Sequence, residues 1–428
     1  MAGCSFMFRG TSLARPVTLK TDVLNILISR IGMLNTKESE VIEEQPAYWS
    51  GVFAMTLCVF TLIASEFMPV SLLTPITADL NISEGMVGQG IAISGAFAVI
   101  TSLTISRIAG SMNRKTLLLL LTAMMAVSGV IIALAQNYTV YMIGRALIGI
   151  VIGGFWSMSA ATAMRLVPSS DVPRAMAIFN SGNALAMVIA APMGSYLGSV
   201  IGWRGAFLCL VPIAILALIW QWISLPSLQV TIDHSVKQPT ILGLLRNPIV
   251  TIGMLAVSLF FMGQFSLYTY VRPFLETITQ VDTSTLSLIL LGIGAMGFIG
   301  TCVITIFLDR RFYATLIIIP IIMAAIAVML TLFGTSLMIV SVLFGIWGLL
   351  GTAAPVGWWS WLARTLPENA EAGGGLMVAV IQLAIAVGST LGGVLFDHKG
   401  YQVTFIASAI ILMVSAFLTS RLAKKQLL

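Results

Sequence analysis

The chain has 428 residues, of which 58% are hydrophobic and only 9% charged. A soluble globular protein carries about 25% charged residues, so a fully water-facing surface is excluded here, and the soluble-enzyme class with it. The net charge of +6 does not argue for a nucleic-acid partner, because in a membrane-spanning chain the placement of basic residues is informative and their total is not.

Residues 1–48 read as a polar tail with no sustained apolar core, which is not the pattern of a secretory signal. Its first part is basic (Arg9, Arg15, Lys20, Arg30) and the rest acidic (Glu38, Glu40, Glu43, Glu44). A membrane-surface helix over 18–34 and a disordered tail both fit this stretch, and Met33 is a candidate alternative start.

From Trp49 onward apolar blocks of spanning length follow one another, at 50–76, 86–106, 116–135, 139–163, 174–199, 204–223, 248–273, 284–307, 313–333, 337–362, 373–396 and 401–420. Each meets the roughly 20 residues that a transmembrane helix needs, and the alternation of an outer-membrane barrel is absent. The expected fold is therefore all-α: twelve transmembrane helices in two six-helix halves, 49–224 and 248–422. A polar linker, 225–247, separates the halves, and a short tail, 423–428, closes the chain.

With the N-terminus inside, the inner loops carry Arg107, Arg114, Lys115, Arg165, Arg174, Lys237, Arg246, Arg310, Arg311, Arg364, Arg421, Lys424 and Lys425. The outer connections carry only Arg204, Arg272 and Lys399. The positive-inside rule then puts both termini in the cytoplasm of a bacterial inner membrane.

The halves echo each other. Glu66, Phe67 and Pro75 match Gln264, Phe265 and Pro273 at an offset of 198, as do Gly194, Gly202 and Phe207 with Gly392, Gly400 and Phe405. Arg165 and Pro168 match Arg364 and Pro367 at 199. Duplication explains a near-constant offset better than chance, and two six-helix halves joined by a linker are the layout of an alternating-access transporter.

Two charges lie deep in apolar blocks. Glu66 is about ten residues from the outer end of the first block, roughly 15 Å deep, and Arg145 about six residues into the fourth, roughly 9 Å deep. An ionised group there costs at least about 2.5–3.5 kcal/mol, so it persists where it pairs, lines a wet cavity or does work. Glu66 as a proton carrier, tuned by Arg145, is one reading; a purely structural Glu66–Arg145 pair is the other.

The repeat answers Glu66 with neutral Gln264, and the tenth block has no charge to match Arg145. Proton chemistry is thus expected in the N-terminal half. The C-terminal half offers neutral groups, Gln264, Tyr268, Tyr270 and Gln382, suited to an uncharged polar solute. Phe67, Trp156 and Tyr268 are candidates for stacking on a ring, and Asn180 and Asn183 for ligand contacts or interhelical hydrogen bonds. Trp358, Trp359 and Trp361 read as an interfacial aromatic belt. In the fifth block Gly182, Pro192, Gly194 and Gly198 suit a helix that repacks during rocking, and equally a tightly packed one.

Cys4, Cys58, Cys209 and Cys302 are scattered, which supports neither a disulfide framework nor a zinc site. His234 and His398 both stand in polar stretches. No nucleophile–base pair or phosphate loop is evident. No cofactor is expected, and the energy source would be the proton gradient.

The stretches SEFMPVSLLTPITADL, IGRALIGIVIGGFWSMSAATAMRLVP, AAPMGSYLGSVIGWRGAF and PVGWWSWLARTLPENAEAGG resemble the major facilitator superfamily in its drug:proton antiporter-1 branch, over roughly 48–422. They look most like the purine ribonucleoside efflux pumps of bacterial inner membranes, and less like the neighbouring sugar-efflux pumps. The family's fourth-helix motif has an arginine where Arg145 stands, and its antiporter motif covers Gly182–Gly198, with Ala191 here where a glycine commonly precedes the proline. The loop SRIAGSMNRK keeps Arg114 and Lys115 but has Gly110 where the family usually carries an aspartate. The resemblance implies proton-coupled export of inosine- or guanosine-like nucleosides, with sugar or broad-range drug efflux as the alternative. A non-transporting membrane sensor is a more distant reading. A monomer in the lipid bilayer is the expected unit.

Overall fold

The computed structural model describes residues 47–110, 112–229, 241–366 and 370–427, and its described elements are all helical. The expectations for the N-terminal tail through residue 46 and for linker residues 230–240 lie outside the described residues. In chain order the helices are α1 (Trp49–Leu80), α2 (Glu84–Ala109), α3 (Arg114–Ala133), α4 (Tyr138–Met164), α5 (Val172–Ser224), α6 (Pro248–Tyr268), α7 (Val271–Thr277), α8 (Thr283–Phe333), α9 (Leu337–Thr365) and α10 (Ala370–Leu427).

Their starts follow from local chemistry. The side chains of Asn113, Asn137, Asn247 and Asp282 accept hydrogen bonds from main-chain N–H groups of the first turn. These are the residue types that satisfy the donors a helix N-terminus leaves over, and Pro248, which has no N–H to lose, stands in the first turn of α6.

Three helices are about twice the length a bilayer requires. Each contains one residue outside helical conformation: Gly202 in α5, Arg311 in α8 and Gly400 in α10. The chain reverses there. Arg174 near the start of α5 lies over the Trp49 ring and Trp220 near its end donates to Ser50, so both ends of α5 meet the beginning of α1. Divided at these residues, and with α6 and α7 taken as one interrupted helix, the described residues form twelve apolar helical segments. Three expected loops are therefore single-residue corners. Gly202 and Gly400 turn with φ of 75° and 79°, in the left-handed region where glycine alone carries no side-chain penalty.

The apolar interior is divided between the halves. One cluster centres on Val250, Phe260, Phe274, Met323 and Trp347, and another on Met55, Leu62, Leu121, Ile152 and Phe179. Large apolar side chains also line the outside: Trp222, Ile223, Leu332, Ile410 and Met338, the last 80% exposed. That surface suits lipid and not water. Trp358 and Trp361 correct the belt expectation. Both are buried and stack edge to face at 6.0 Å, while Trp359 alone of the three is exposed.

Linker residues Ser227, Leu228 and Gln229 are held by Asn113, the Arg114 main-chain N–H and Arg165, so the linker leaves from the N-terminal half. The first residue of α1 and the last of α10 mark one end of the bundle. The other end, carrying the α1–α2 turn and the Gly202 and Gly400 corners, is called the far end below.

Candidate functional site

The site begins with two prolines in α1, Pro69 and Pro75. Proline has no N–H, so each leaves without its helical donor the carbonyl four residues earlier, those of Ser65 and Ser71. In an apolar interior such a carbonyl is costly unless another donor reaches it.

Arg145 of α4, completely buried, supplies one. Its Nη1 donates to Ser65 O at 2.9 Å, Nη2 to Glu66 O at 3.3 Å and Nε to Gly90 O on α2 at 3.0 Å. The guanidinium fork thus joins α4 to α1 and α2 through main-chain oxygens. Among the described residues there is no ion pair between the Glu66 and Arg145 side chains. The structural-pair reading changes accordingly: Arg145 holds the backbone on which Glu66 sits.

Glu66, 5% exposed, turns its carboxylate to the other half. Gln382 of α10, itself buried, donates from Nε2 to Glu66 Oε1 at 3.1 Å. Beside it Phe67 stacks on Phe265 with ring centroids 5.8 Å apart, and Phe265 meets Tyr268 edge to face at 6.1 Å. Phe67 and Phe265 are repeat-related, so the two halves meet ring to ring across their shared boundary. Gln264 is half-buried, with its amide against Gly351 of α9, and its Oε1 has no hydrogen-bond partner.

The structure thus brings Glu66, Phe67, Tyr268 and Gln382 together, with Gln264 on the adjoining face. Trp156 packs edge to face on Phe179 at 6.4 Å, inside the N-terminal half. Asn183 is half-buried on α5, and Asn180 is exposed and bonds its own helix at Met176 O. Arg114 and Lys115 open α3 at the termini end, apart from this cluster. Gly182, Gly194 and Gly198 all face α1, at Thr56, Ser71 and Leu72, with Pro192 between them. Here they serve close packing within one half. One contact of α5 with the other half is that of Met187 and Val188 against Gly294 of α8.

Sequence reasoning missed two residues. Arg272 was taken for an outer-loop cation but is only 5% exposed. It is paired with Glu276 at 2.8 Å and donates from Nη1 to Ser71 O, the carbonyl freed by Pro75. Asp397 of α10 accepts from Ser83 Oγ at 2.5 Å and from the Gly85 N–H at 3.0 Å, at the start of α2. The spacing from Ser71 to Pro75 reveals a freed carbonyl. No local signal names the donor that arrives from the other half.

Among the described residues, the hydrogen bonds between halves are these: Gln382 to Glu66, Arg272 to Ser71, and Ser83 and Gly85 to Asp397. They run from the middle of α1 to the far end. The two halves are therefore pinned together at one end by a few separable polar contacts, with a carboxylate at the inner limit of that row.

The family model described as Major Facilitator Superfamily matches residues 55–377. The chain is 64% identical over 389 residues to the transcription regulatory protein OpdE of Pseudomonas aeruginosa, covering 90% of this chain and 96% of that protein. It is 38% identical over 376 residues to the purine ribonucleoside efflux pump NepI of Escherichia coli K12, covering 88% and 94%. Among solved structures it is similar to a bacterial homologue of the human lysosomal transporter Spinster, in an inward-facing, unoccupied conformation, with a TM-score of 0.72 at 15% identity over 89% of this chain and 98% of that one. The nucleoside transporter NupG gives a TM-score of 0.71 at 13% identity, over 87% and 99%. At such identities the structural likeness bears on the fold alone.

Proposed function

The chain belongs to the Major Facilitator Superfamily and is a membrane transporter, not an enzyme, and from that premise we propose that it exports purine ribonucleosides in exchange for protons. The observation that carries this reading is the buried Glu66 carboxylate, joined to the opposite half by one hydrogen bond from Gln382. Both halves meet at that group, so its proton occupancy bears on how they are held.

The proposed cycle uses groups already in place. With the far end closed, the solute enters from the cytoplasm and stacks beside Phe67, Phe265 and Tyr268. An aromatic cluster with the free Gln264 Oε1 nearby suits a flat heterocycle bearing N–H donors. Trp156 and Asn183 are proposed as further walls of the cavity. A proton taken by Glu66 from the outer side and released inside is exchanged for the outgoing solute, with Arg145 keeping the carboxylate in register. Glycines 182, 194 and 198 with Pro192 keep α1 and α5 moving as one body, and Arg114 and Lys115 hold the cytoplasmic end. The surplus of basic residues at the termini end supports cytoplasmic termini in an inner membrane, and no residue of this scheme comes from a second copy.

The test is proton movement in inverted membrane vesicles carrying the wild type or Glu66→Gln, with inosine, guanosine, arabinose or a cationic dye added in turn. Proton release on adding a nucleoside, lost in the variant, is expected. A response to arabinose or dye alone would replace the solute and keep the mechanism. Nucleoside flux that persists with no proton movement would sink the role of Glu66.

The 64% identity to a protein named as a transcription regulator favours a second reading, in which this chain alters gene expression. An exporter does so indirectly when its solute is an effector, because export lowers the cytoplasmic pool. A reporter-gene response lost in Glu66→Gln places the effect downstream of transport. A response that survives in the transport-dead variant identifies a sensor.

A further inference from the structure

α1 carries two carbonyls that proline has freed, and an arginine serves each. The two arginines differ in one respect. Arg145 lies in the same half as α1, so its bonds to Ser65 O and Glu66 O persist while that half moves as a body. Arg272 lies in α7, in the opposite half, so its bond to Ser71 O exists only while the halves touch at the far end.

We propose that Arg272 is the latch that closes the far end of the cavity, its guanidinium seated on the Ser71 carbonyl that Pro75 leaves free. Glu276, one helical turn on, aims the fork: its Oε1 accepts from Arg272 Nε at 2.8 Å and pairs with Nη2 at 2.8 Å, which leaves Nη1 for Ser71. Pro75 keeps a strong acceptor open toward the other half. Without it the Ser71 carbonyl would accept from the N–H four residues on, as carbonyls in the interior of an unbroken helix do. Neighbouring contacts shape the seat. Tyr270, which stands immediately before α7, is buried and donates to Ser389 O at 2.8 Å, so it ties the α6–α7 break to α10 beside the seat. Asp397 binds the start of α2 farther out. When the far end opens, guanidinium and carbonyl both pass to water, so the bond is replaced and not simply lost. That exchange allows a buried charged contact to work as a reversible catch.

The proposal rests on the rocking of the two halves and on nothing about the solute. Spin labels at Gln136→Cys and Thr335→Cys report far-end separation, since both positions are exposed, in the α3–α4 and α8–α9 turns. The four native cysteines are replaced, and the full chain is measured in lipid nanodiscs by pulsed dipolar spectroscopy. Arg272→Gln is expected to lower the ratio of closed to open far ends about tenfold, the scale of one hydrogen bond to a charged group. Pro75→Ala is expected to shift it the same way by less, and the Arg272→Gln effect should shrink in the Pro75→Ala background. Should Arg272→Gln fold poorly, Arg272→Lys keeps a cation for Glu276, loses the fork and is expected to open the far end too. An unchanged distance distribution in these variants overturns the latch, as does an Arg272→Gln effect of full size with Pro75 absent. The distances themselves separate the two failures: if closed and open populations are both present and unshifted in the variants, rocking stands and only the latch falls, whereas a single population in the wild type overturns the rocking on which it rests.

Discussion

The first helices of the two halves descend from one pattern and are held in opposite ways. α1 carries Pro75 and remains one helix of 32 residues. Its counterpart in the C-terminal half carries Pro273 at the matched position and is interrupted, α6 ending at Tyr268 and α7 beginning at Val271. The difference lies in the donors that reach each helix from outside. α1 receives two guanidinium groups at its freed carbonyls, those of Arg145 and Arg272. The donor at Pro75 is Arg272, and the residue matching it in α1, at the offset of 198, is Thr74, whose Oγ1 has no hydrogen-bond partner; the positions matching Arg145 in α9, at offsets of 198 and 199, are Leu343 and Phe344, both buried and apolar. A proline in a membrane helix is thus bridged where a neighbour brings a donor, and opens into a break where none arrives. The same asymmetry leaves Glu66 as the charged member of a pair whose other member, Gln264, is neutral.

The largest expected effect follows from moving that charge. Glu66→Gln makes the two halves alike at this position and is expected to abolish proton-coupled exchange outright, which vesicle pH-gradient measurements check. An exchange rate that keeps its full pH dependence in the variant would mean that the asymmetry has no role in coupling.

The reverse change, Gln264→Glu, places a carboxylate where no guanidinium holds the backbone beneath it. Its expected cost is about 2.5–3.5 kcal/mol, the insertion penalty of a charged side chain, read as a lower unfolding temperature in detergent. Unchanged stability would show that the C-terminal half tolerates a charge as well as the N-terminal half does.

Arg145→Met imitates the apolar matched positions in α9. It leaves the Ser65 carbonyl unserved, for a cost of about 1–3 kcal/mol. Adding Pro69→Ala restores a main-chain N–H four residues after Ser65 and is expected to recover part of that loss. No recovery in the double variant would show that the bonds to Gly90 or Glu66 matter, and the freed carbonyl does not.

The smallest expected effect concerns what the halves share. Gly202 and Gly400 turn at nearly equal φ, and each has open space where a Cβ would stand. Alanine at either position is therefore expected to cost a similar backbone penalty, about 1–3 kcal/mol. Clearly unequal shifts in unfolding temperature would break the symmetry of the two corners.

Much of this molecule is readable along the chain. Block length and composition specify the crossings, because every main-chain polar group in lipid must be satisfied within its own helix. The offset of 198 marks the repeat-related corners, and the depth of Glu66 and Arg145 marks them as costly charges. Other features were misread for one shared reason. Arg272 looks like a loop cation and Trp358 and Trp361 look like belt residues, because adjacency in sequence does not report which neighbouring helix covers a side chain.

Sequence alone determines that the chain is built of long apolar helices, the charges within them and the carbonyls that proline frees, since each of these depends on nearby residues along the chain. Only the tertiary structure decides that Arg145 serves Ser65, that Arg272 serves Ser71 from the opposite half and that Gln382 meets Glu66. A long side chain reaches its acceptor through space, and the partners of such a contact stand 80, 201 and 316 residues apart along the chain.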